Sequence, residues 1–123
     1  MARVTGLGGV FYQVADIAAT RSWYQEMLGV GGEYGEMFAF KDDAPDGFSL
    51  LTPFAADSDK FAPSSLPFMT NLRVDDLDAM VAELEAKGVA ILDRQSDDYG
   101  KYAWIIDPDG VKLELYQQAG DQA

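Results

Sequence analysis

The chain has 123 residues with 9 Lys and Arg against 21 Asp and Glu, a formal net charge of -12, and it contains neither Cys nor His. Lack of Cys excludes disulfides and thiolate chemistry, and lack of His excludes Ser-His-Asp triads and imidazole metal ligands. An acidic surface repels phosphate backbones and anionic lipids, so we expect no nucleic-acid and no membrane partner. With no signal-like opening segment and no apolar run near the roughly 20 residues of a membrane span, the sequence predicts a cytoplasmic protein.

Two segments are predicted to be helices. The first runs over about Asp16–Leu28, and Gly29 ends it. The second runs over Leu77–Ala86, where apolar residues recur at i, i+3, i+4 and i+7. Asp76 caps its first turn and Gly88 supplies the stop.

The remaining apolar runs are predicted to be strands, near Gly8–Val14, Glu33–Tyr34, Met37–Lys41, Phe48–Thr52, Pro67–Val74, Val89–Arg94, Tyr102–Asp107 and Val111–Gln117. The turn Asp107–Gly110 joins the last two strands into a hairpin, since Pro108 presets φ and Gly110 permits a positive φ. The aperiodic stretch Ala55–Ser65, with Asp, Ser and Pro, is the predicted linker.

The two halves of the chain are similar. Val14-Ala15-Asp16, a helix and Gly29-Val30 are echoed by Val74-Asp75-Asp76, a helix and Gly88-Val89, about 60 residues later. Each half therefore reads strand, helix, three strands. We expect an α+β protein with one domain over residues 1–123, module 1 over about 1–54, a linker over about 55–65 and module 2 over about 66–118.

Strand alternation divides these side chains between two sheet faces. A mainly apolar set is expected to pack beneath the helices: Val10, Tyr12, Val14, Phe48, Leu50, Thr52, Thr70, Leu72, Val74, Val111, Leu113 and Leu115. The opposite face carries aromatic, amide and charged groups: Gly9, Phe11, Gln13, Ser49, Leu51, Pro53, Met69, Asn71, Arg73, Lys112, Glu114 and Tyr116. Such a mixture is typical of a small-molecule pocket, and also of a solvated sheet face or a subunit interface.

Four stretches together resemble the vicinal-oxygen-chelate superfamily of glyoxalases, bleomycin-resistance proteins and extradiol dioxygenases: Gly6-Leu7-Gly8-Gly9-Val10-Phe11-Tyr12-Gln13-Val14-Ala15-Asp16; Trp23-Tyr24 with Leu28-Gly29; Asn71-Leu72-Arg73-Val74-Asp75-Asp76-Leu77-Asp78; and Tyr99-Gly100-Lys101-Tyr102-Ala103-Trp104-Ile105-Ile106-Asp107-Pro108-Asp109-Gly110-Val111-Lys112-Leu113-Glu114-Leu115-Tyr116. The resemblance implies two paired βαβββ modules that form an open U-shaped mixed-sheet barrel. It also implies a homodimer.

Enzymes of that superfamily usually hold a divalent metal on the opening and closing strands of the modules. The matching positions here are Gly9, Met69, Leu51 and Glu114, of which only Glu114 carries a carboxylate. One carboxylate does not hold Mg²⁺, Fe²⁺ or Zn²⁺ alone. We therefore expect no metal and no other cofactor.

The resemblance to antibiotic-sequestering members, which hold a bulky and often cationic ligand, favours a metal-independent small-molecule binding protein. The concave sheet cavity would hold the ligand. The predicted ligand-binding side chains are Phe11, Gln13, Leu51, Met69, Asn71, Arg73, Trp104, Lys112 and Tyr116.

Three alternatives stay open at this point. The protein could be an enzyme of the same superfamily, an isomerase, lyase or dioxygenase-like protein, with Glu114 as catalytic acid or base or as a residual metal ligand. Glu114 could instead form a structural bridge to Arg73 or Lys112. Large side chains could also fill the cavity and leave a purely structural subunit.

Overall fold

A four-stranded mixed sheet organises the chain, in a computed structural model that describes residues 1–4, 7–31, 36–43 and 45–120. The elements are helices α1 (Ile17–Leu28) and α2 (Leu77–Ala86) and strands β1 (Met69–Arg73), β2 (Asp93–Asp97), β3 (Gly100–Ile106) and β4 (Lys112–Gln118). The sheet order is β1-β4-β3-β2, with β1 parallel to β4 and the other pairs antiparallel. The sheet is open, and the predicted α+β class is confirmed.

Both helices begin at the aspartates that the sequence indicated. Asp16 accepts a hydrogen bond from the backbone N–H of Ala19 at 3.1 Å, and Asp76 accepts one from Ala79 at 3.0 Å. Each carboxylate satisfies an orphan donor of a first helical turn and places negative charge at the positive end of the helix dipole. Gly29 ends α1 in the left-handed conformation, with φ of 69°.

The core lies between α2 and one face of the sheet. Leu77 and Leu84 of α2 and Ile105, Leu113 and Leu115 of the sheet are 0% exposed. Burying each of these side chains contributes about 1.5–3 kcal/mol. The prediction that alternate residues of the last strand pack beneath a helix is confirmed here.

Helix α1 is fastened to the β3–β4 turn by side-chain hydrogen bonds. Thr20 Oγ1 donates to Asp109 Oδ2 and Tyr24 Oη donates to Asp107 Oδ2, both at 2.5 Å. The second oxygen of Asp107 accepts the backbone N–H groups of Asp109 and Val111. Burial and the hydrogen bond to Asp107 raise the pKa of Tyr24, so its hydroxyl remains a donor. The predicted Asp-Pro-Asp-Gly turn therefore also holds the first half of the chain.

The strands predicted for the described residues of the first half are not formed. The described residues before Met69 contain no strand, so the predictions for Gly8–Val14 and Phe48–Thr52 are wrong. A 3₁₀ helix over Phe40–Asp42 replaces the end of Met37–Lys41. The predicted strand Glu33–Tyr34 lies outside the described residues.

The first-half segments have no strand neighbour among the residues that the structure describes. A strand needs a neighbour for its N–H and C=O groups, and alternation in a sequence does not supply one. The prediction that Val10 and Leu50 pack beneath a helix is wrong as well. Val10 is 49% and Leu50 66% exposed.

The strand predicted over Val89–Arg94 lies further along the chain, as β2 over Asp93–Asp97. Asp97 pairs with Gly100, and this tight connection sets the register of the β2–β3 hairpin. Gly100 has φ of 146°, and an added Cβ would lie 2.2 Å from the carbonyl oxygen of Gln117. Backbone geometry at Gly100, and not the apolar run Val89–Leu92, therefore determines where β2 lies.

None of the helices in the described part of the chain is both long and apolar enough to cross a membrane.

Candidate ligand-binding site

The sheet face turned away from α2 brings together side chains from β1, β4 and β3 in two rows. Cross-strand pairing places Asn71 beside Glu114 and Glu114 beside Trp104, and it places Arg73 beside Tyr116 and Tyr116 beside Tyr102. Directly paired residues project on the same side of a sheet. We call this side the open face, defined by Asn71, Arg73, Tyr102, Trp104, Lys112, Glu114 and Tyr116.

Three aromatic rings form the middle of the open face. The rings of Tyr102 and Tyr116 have centroids 5.1 Å apart at an interplanar angle of 21°, and those of Tyr102 and Trp104 are 6.0 Å apart at 12°. These values fall in the range of favourable offset stacking. We call Tyr102, Trp104 and Tyr116 the aromatic floor.

The Glu114 carboxylate is fixed at the edge of the aromatic floor by two neutral donors. Asn71 Nδ2 donates to Oε1 at 2.6 Å, and Trp104 Nε1 donates to Oε2 at 2.9 Å. The ion pairs found among the described residues do not include Glu114, so the alternative of a structural bridge to Arg73 or Lys112 is wrong. Hydrogen bonds therefore orient the carboxylate, and no cationic side chain of the described ranges neutralises its charge.

Arg73 is engaged at one end of the aromatic floor. Its Nε lies 2.9 Å from Asp43 Oδ1, its Nη1 donates to Gln118 Oε1 at 2.6 Å, and its Nη2 donates to the carbonyl of Phe48. The guanidinium carbon also lies 5.3 Å from the Phe48 ring centroid and 5.9 Å from that of Tyr116. The planar cation therefore sits between two aromatic rings.

Lys112 is engaged at the other end of the floor. Its Nζ donates to the carbonyls of Lys60 at 2.7 Å and Ala62 at 2.8 Å, and it lies 5.9 Å from the Trp104 ring centroid. These bonds attach residues 60–62, in the predicted linker, to the sheet. The ammonium is directed to backbone oxygens and to the aromatic ring, and not to Glu114.

The hydroxyl of Tyr102 completes the floor as a neutral donor. It reaches Asp97 Oδ1 at 3.3 Å. Partial burial and the nearby Asp97 carboxylate raise the pKa of Tyr102 to about 12. The Tyr102 hydroxyl therefore stays protonated well above neutral pH, and Glu114 is the acidic side chain among the residues that define the open face.

Some predicted site residues do not reach the floor within the single chain. Phe11 is 98% and Leu51 88% exposed, and Gln13 is also exposed. A side chain so exposed packs against almost nothing, so the role of these three in ligand binding stays a prediction. Met69 is half-buried at the start of β1, beside Lys112.

Sequence reasoning missed Tyr102 and Phe48 as residues of this face. Tyr102 lies two residues before Trp104, so alternation along the predicted strand contained the signal. The prediction that Phe48 lies on the core face is wrong, because its segment is not a strand and its ring contacts Arg73. Asp43 and Gln118 were not singled out, since their contacts with Arg73 join residues 30 and 45 positions apart.

The metal that the resemblance implies does not fit the matching positions. Gly9 and Leu51 offer no side-chain donor, and Met69 offers a soft thioether that divalent hard cations disfavour. Each oxygen of Glu114 already accepts a hydrogen bond. Within residues 1–4, 7–31, 36–43 and 45–120, no three acidic side chains are grouped closely enough to hold an ion.

A cleft of about 300 Å³ is lined by Trp23, Met27, Lys87, Val89, Leu92 and Ile106 among others. It contains no carboxylate, and Lys87 Nζ donates to the carbonyl of Glu26 at 2.7 Å. The open face combines a fixed charge with stacked rings, and we therefore place the candidate site there.

Comparison with known proteins extends the similarity to most of the chain. The Escherichia coli (strain K12) protein YaeR, itself uncharacterized, is 31% identical over 114 residues, which are 84% of this chain and 88% of YaeR. The solved structure of TnmS3, an antibiotic binding protein from Streptomyces sp. CB03234, is 30% identical with a TM-score of 0.54, over 86% of this chain and 89% of TnmS3.

A protein from the mobile metagenome of V. Pseudocholerae shares the fold at 19% identity and a TM-score of 0.60, over 95% of this chain and 97% of that protein. Residues 6–115 match the family model described as the Glyoxalase/Bleomycin resistance protein/Dioxygenase superfamily. The chain therefore belongs to the glyoxalase/bleomycin resistance protein/dioxygenase superfamily.

Proposed function

We propose that the protein binds a small, planar aromatic cation on the open face of its sheet without the help of a metal. The observation that carries the proposal is the Glu114 carboxylate, which Asn71 and Trp104 hold beside the aromatic floor. In the part of the chain that the structure describes, no cationic side chain forms an ion pair with it. A ligand with a protonated nitrogen supplies the missing charge, and its rings stack on the floor.

The charge of the whole chain favours the same ligand. A net charge of -12 attracts cations over long distances and accelerates their encounter with the protein. Near the floor, Arg73 is paired with Asp43, and Lys112 is bound to carbonyl groups. Neither cation therefore opposes a positive ligand at Glu114 as strongly as an unpaired one would.

The relatives support small-molecule binding as the general role. TnmS3 is described as an antibiotic binding protein, and it is 30% identical to this chain. A fold hosts many activities, so Glu114 and the aromatic floor carry the proposal for this chain, and the relative adds a precedent for antibiotic binding.

We also infer that the working unit is a homodimer. All the large apolar side chains left exposed in the described residues, except Leu92 and Tyr99, lie before residue 55. Among them are Phe11, Phe38 and Leu51, at 98%, 64% and 88% exposure. Apolar surface of this extent marks an interaction site, and a second copy would give the first-half segments the partners that a strand needs.

Calorimetric titration with proflavine, a planar aromatic cation, tests the binding function. We expect wild-type protein to bind proflavine, and Glu114→Gln to weaken the affinity about 10-fold or more, since the amide keeps the shape and removes the charge. The matched control is Glu83→Gln, on the exposed side of α2. The anionic dye 8-anilinonaphthalene-1-sulfonate serves as the reference of opposite charge.

Equal proflavine affinity in wild type and Glu114→Gln would contradict the proposal, and so would a preference for the anionic dye. The enzyme alternative gives a different result. If Glu114 is an acid or base, a substrate found later is still bound by Glu114→Gln but is no longer converted.

A further inference from the structure

We propose that the Arg73 guanidinium occupies part of the ligand site and that a cationic aromatic ligand displaces it. This displacement releases Asp43 and residues 45–48, which we call the strap. The inference rests on the proposed function, because it concerns how the same ligand gains access to the open face.

The first observation is that Arg73 and Gln118 hold the strap by polar contacts. Arg73 pairs with Asp43 and donates to the carbonyl of Phe48, while Gln118 Nε2 donates to the carbonyl of Asp46 at 3.1 Å. Gln118 Oε1 in turn accepts from Arg73, so the two side chains form one clamp. The strap therefore depends on the position of the Arg73 guanidinium.

The second observation is that the guanidinium lies in a slot that also suits the proposed ligand. The slot is flanked by two aromatic rings, which favour a planar cation. It lies between the rings of Phe48 and Tyr116, at 5.3 Å and 5.9 Å from their centroids. Tyr116 is only 7% exposed, because Arg73 covers one side of its ring and Tyr102 stacks on it. A ligand ring can stack on Tyr116 from this side only after Arg73 has left.

The third observation is that water reaches the Asp43 side of the clamp. The Asp43 side chain is 41% exposed, and an ion pair with such access to water is screened by salt and contributes little. Arg73 itself is held more firmly, with 17% of its side chain exposed. The ligand replaces a contact between a planar cation and aromatic rings by another of the same kind, so the exchange costs mainly the polar bonds to the strap.

If the ligand displaces Arg73, removal of Arg73 should change ligand affinity in the direction opposite to removal of an ordinary binding residue. If Arg73 contacted the ligand, its removal would lower the affinity of the protein for the ligand. If Arg73 competes with the ligand, its removal should raise that affinity. We therefore expect Arg73→Met, which keeps an unbranched stem and removes the cation, to bind proflavine several-fold more tightly and with a faster association rate. Asp43→Asn, which loosens the clamp without changing the floor, should shift both quantities in the same direction by a smaller factor.

The matched control is Lys101→Met, because Lys101 pairs with the exposed Asp78 of α2 at 3.1 Å and has no contact with the strap. Stopped-flow fluorescence of proflavine supplies the rates. Hydrogen exchange of the strap amides, followed by mass spectrometry with and without proflavine, supplies a second readout. Exchange should be faster in ligand-free Arg73→Met than in wild type, and proflavine should accelerate it in wild type but not in Arg73→Met.

Weaker or unchanged proflavine binding by Arg73→Met would overturn the inference while leaving the proposed function intact. Protection of the strap on binding to wild type would overturn it as well, since the strap would then close on the ligand. Absence of proflavine binding in wild type and Arg73→Met alike would overturn the proposed function and the displacement together. Equal hydrogen exchange of the strap amides in ligand-free wild type and ligand-free Arg73→Met would show that Arg73 does not hold the strap.

Discussion

Trp104 donates its indole N–H to Glu114 across neighbouring strands, at 2.9 Å. The same side chain that supplies one ring of the aromatic floor thus also orients the carboxylate beside it. Because β3 and β4 are antiparallel and pair these two residues directly, the relationship is set by sheet register and needs no mobile loop. It couples the two properties that the proposed ligand requires, a stacking surface and a fixed negative charge.

Trp104→Phe separates these two properties. The phenyl ring retains stacking but has no N–H, so one oxygen of Glu114 loses its partly buried donor. We expect the unfolding free energy to fall by about 1 kcal/mol, and proflavine affinity to fall several-fold as the carboxylate becomes mobile. Urea denaturation and calorimetry measure these quantities. Trp23→Phe, which changes a half-buried tryptophan on α1, is the control and should leave proflavine affinity unchanged.

Gly100→Ala tests the geometry of the β2–β3 connection. A Cβ there meets the Gln117 carbonyl oxygen at 2.2 Å in a backbone with φ of 146°. We expect a loss of about 2–4 kcal/mol in unfolding free energy. Gly88→Ala isolates the contribution of the clash, because Gly88 also has a positive φ, of 85°, but has open space around it. That control should cost only about 1–2 kcal/mol, and equal costs for the two variants would refute the close approach.

The raised pKa of Tyr24 should make the unfolding free energy fall at alkaline pH. Burial, followed by the hydrogen bond to Asp107, raises the pKa of Tyr24 in the folded chain above its ordinary value of 10.0. The unfolded chain then releases this proton first, so the stabilisation is complete below pH 10 and is lost as pH rises above it. Urea denaturation at pH 8 and pH 10.5 should show a smaller decrease for Tyr24→Phe than for wild type. Parallel decreases would contradict the assignment.

The dimer gives a prediction independent of any ligand. Leu51→Asp places a charge on a side chain that is 88% exposed in the single chain, so it should leave the fold of one chain intact and disrupt a subunit contact. Light scattering should give twice the 13.4 kDa chain mass for wild type and a lower mass for the variant. Ala82→Asp, on the exposed side of α2, should remain dimeric. A wild-type mass of one chain would refute the dimer.

Elements with signals inside a few residues were predictable from the sequence. The predicted bounds of α2, Leu77–Ala86, are those of the structure, because an aspartate cap and a helical stripe define them locally. The last strand was predicted over Val111–Gln117 and is formed over Lys112–Gln118. Placing Glu114 on the face away from the core followed from the same alternation.

Features that depend on distant residues were not predictable. The strands expected in the first half lack a partner within the described chain, and no local pattern reveals that. The clamp joins Arg73 to Asp43, Phe48 and Gln118, none of which carries a motif. Neither could the sequence indicate that neutral donors, and not Arg73 or Lys112, would take both oxygens of Glu114.

Native mass spectrometry of untagged protein, purified without chelator and then mixed with proflavine, tests the central claim most directly. It reports subunit number, bound metal and bound cation in one spectrum. We expect a dimer that takes up one proflavine per chain and carries no divalent metal, and a Glu114→Gln dimer in which that uptake is lost. A stoichiometric divalent metal, or equal uptake by Glu114→Gln, would contradict metal-independent binding of the cation at Glu114.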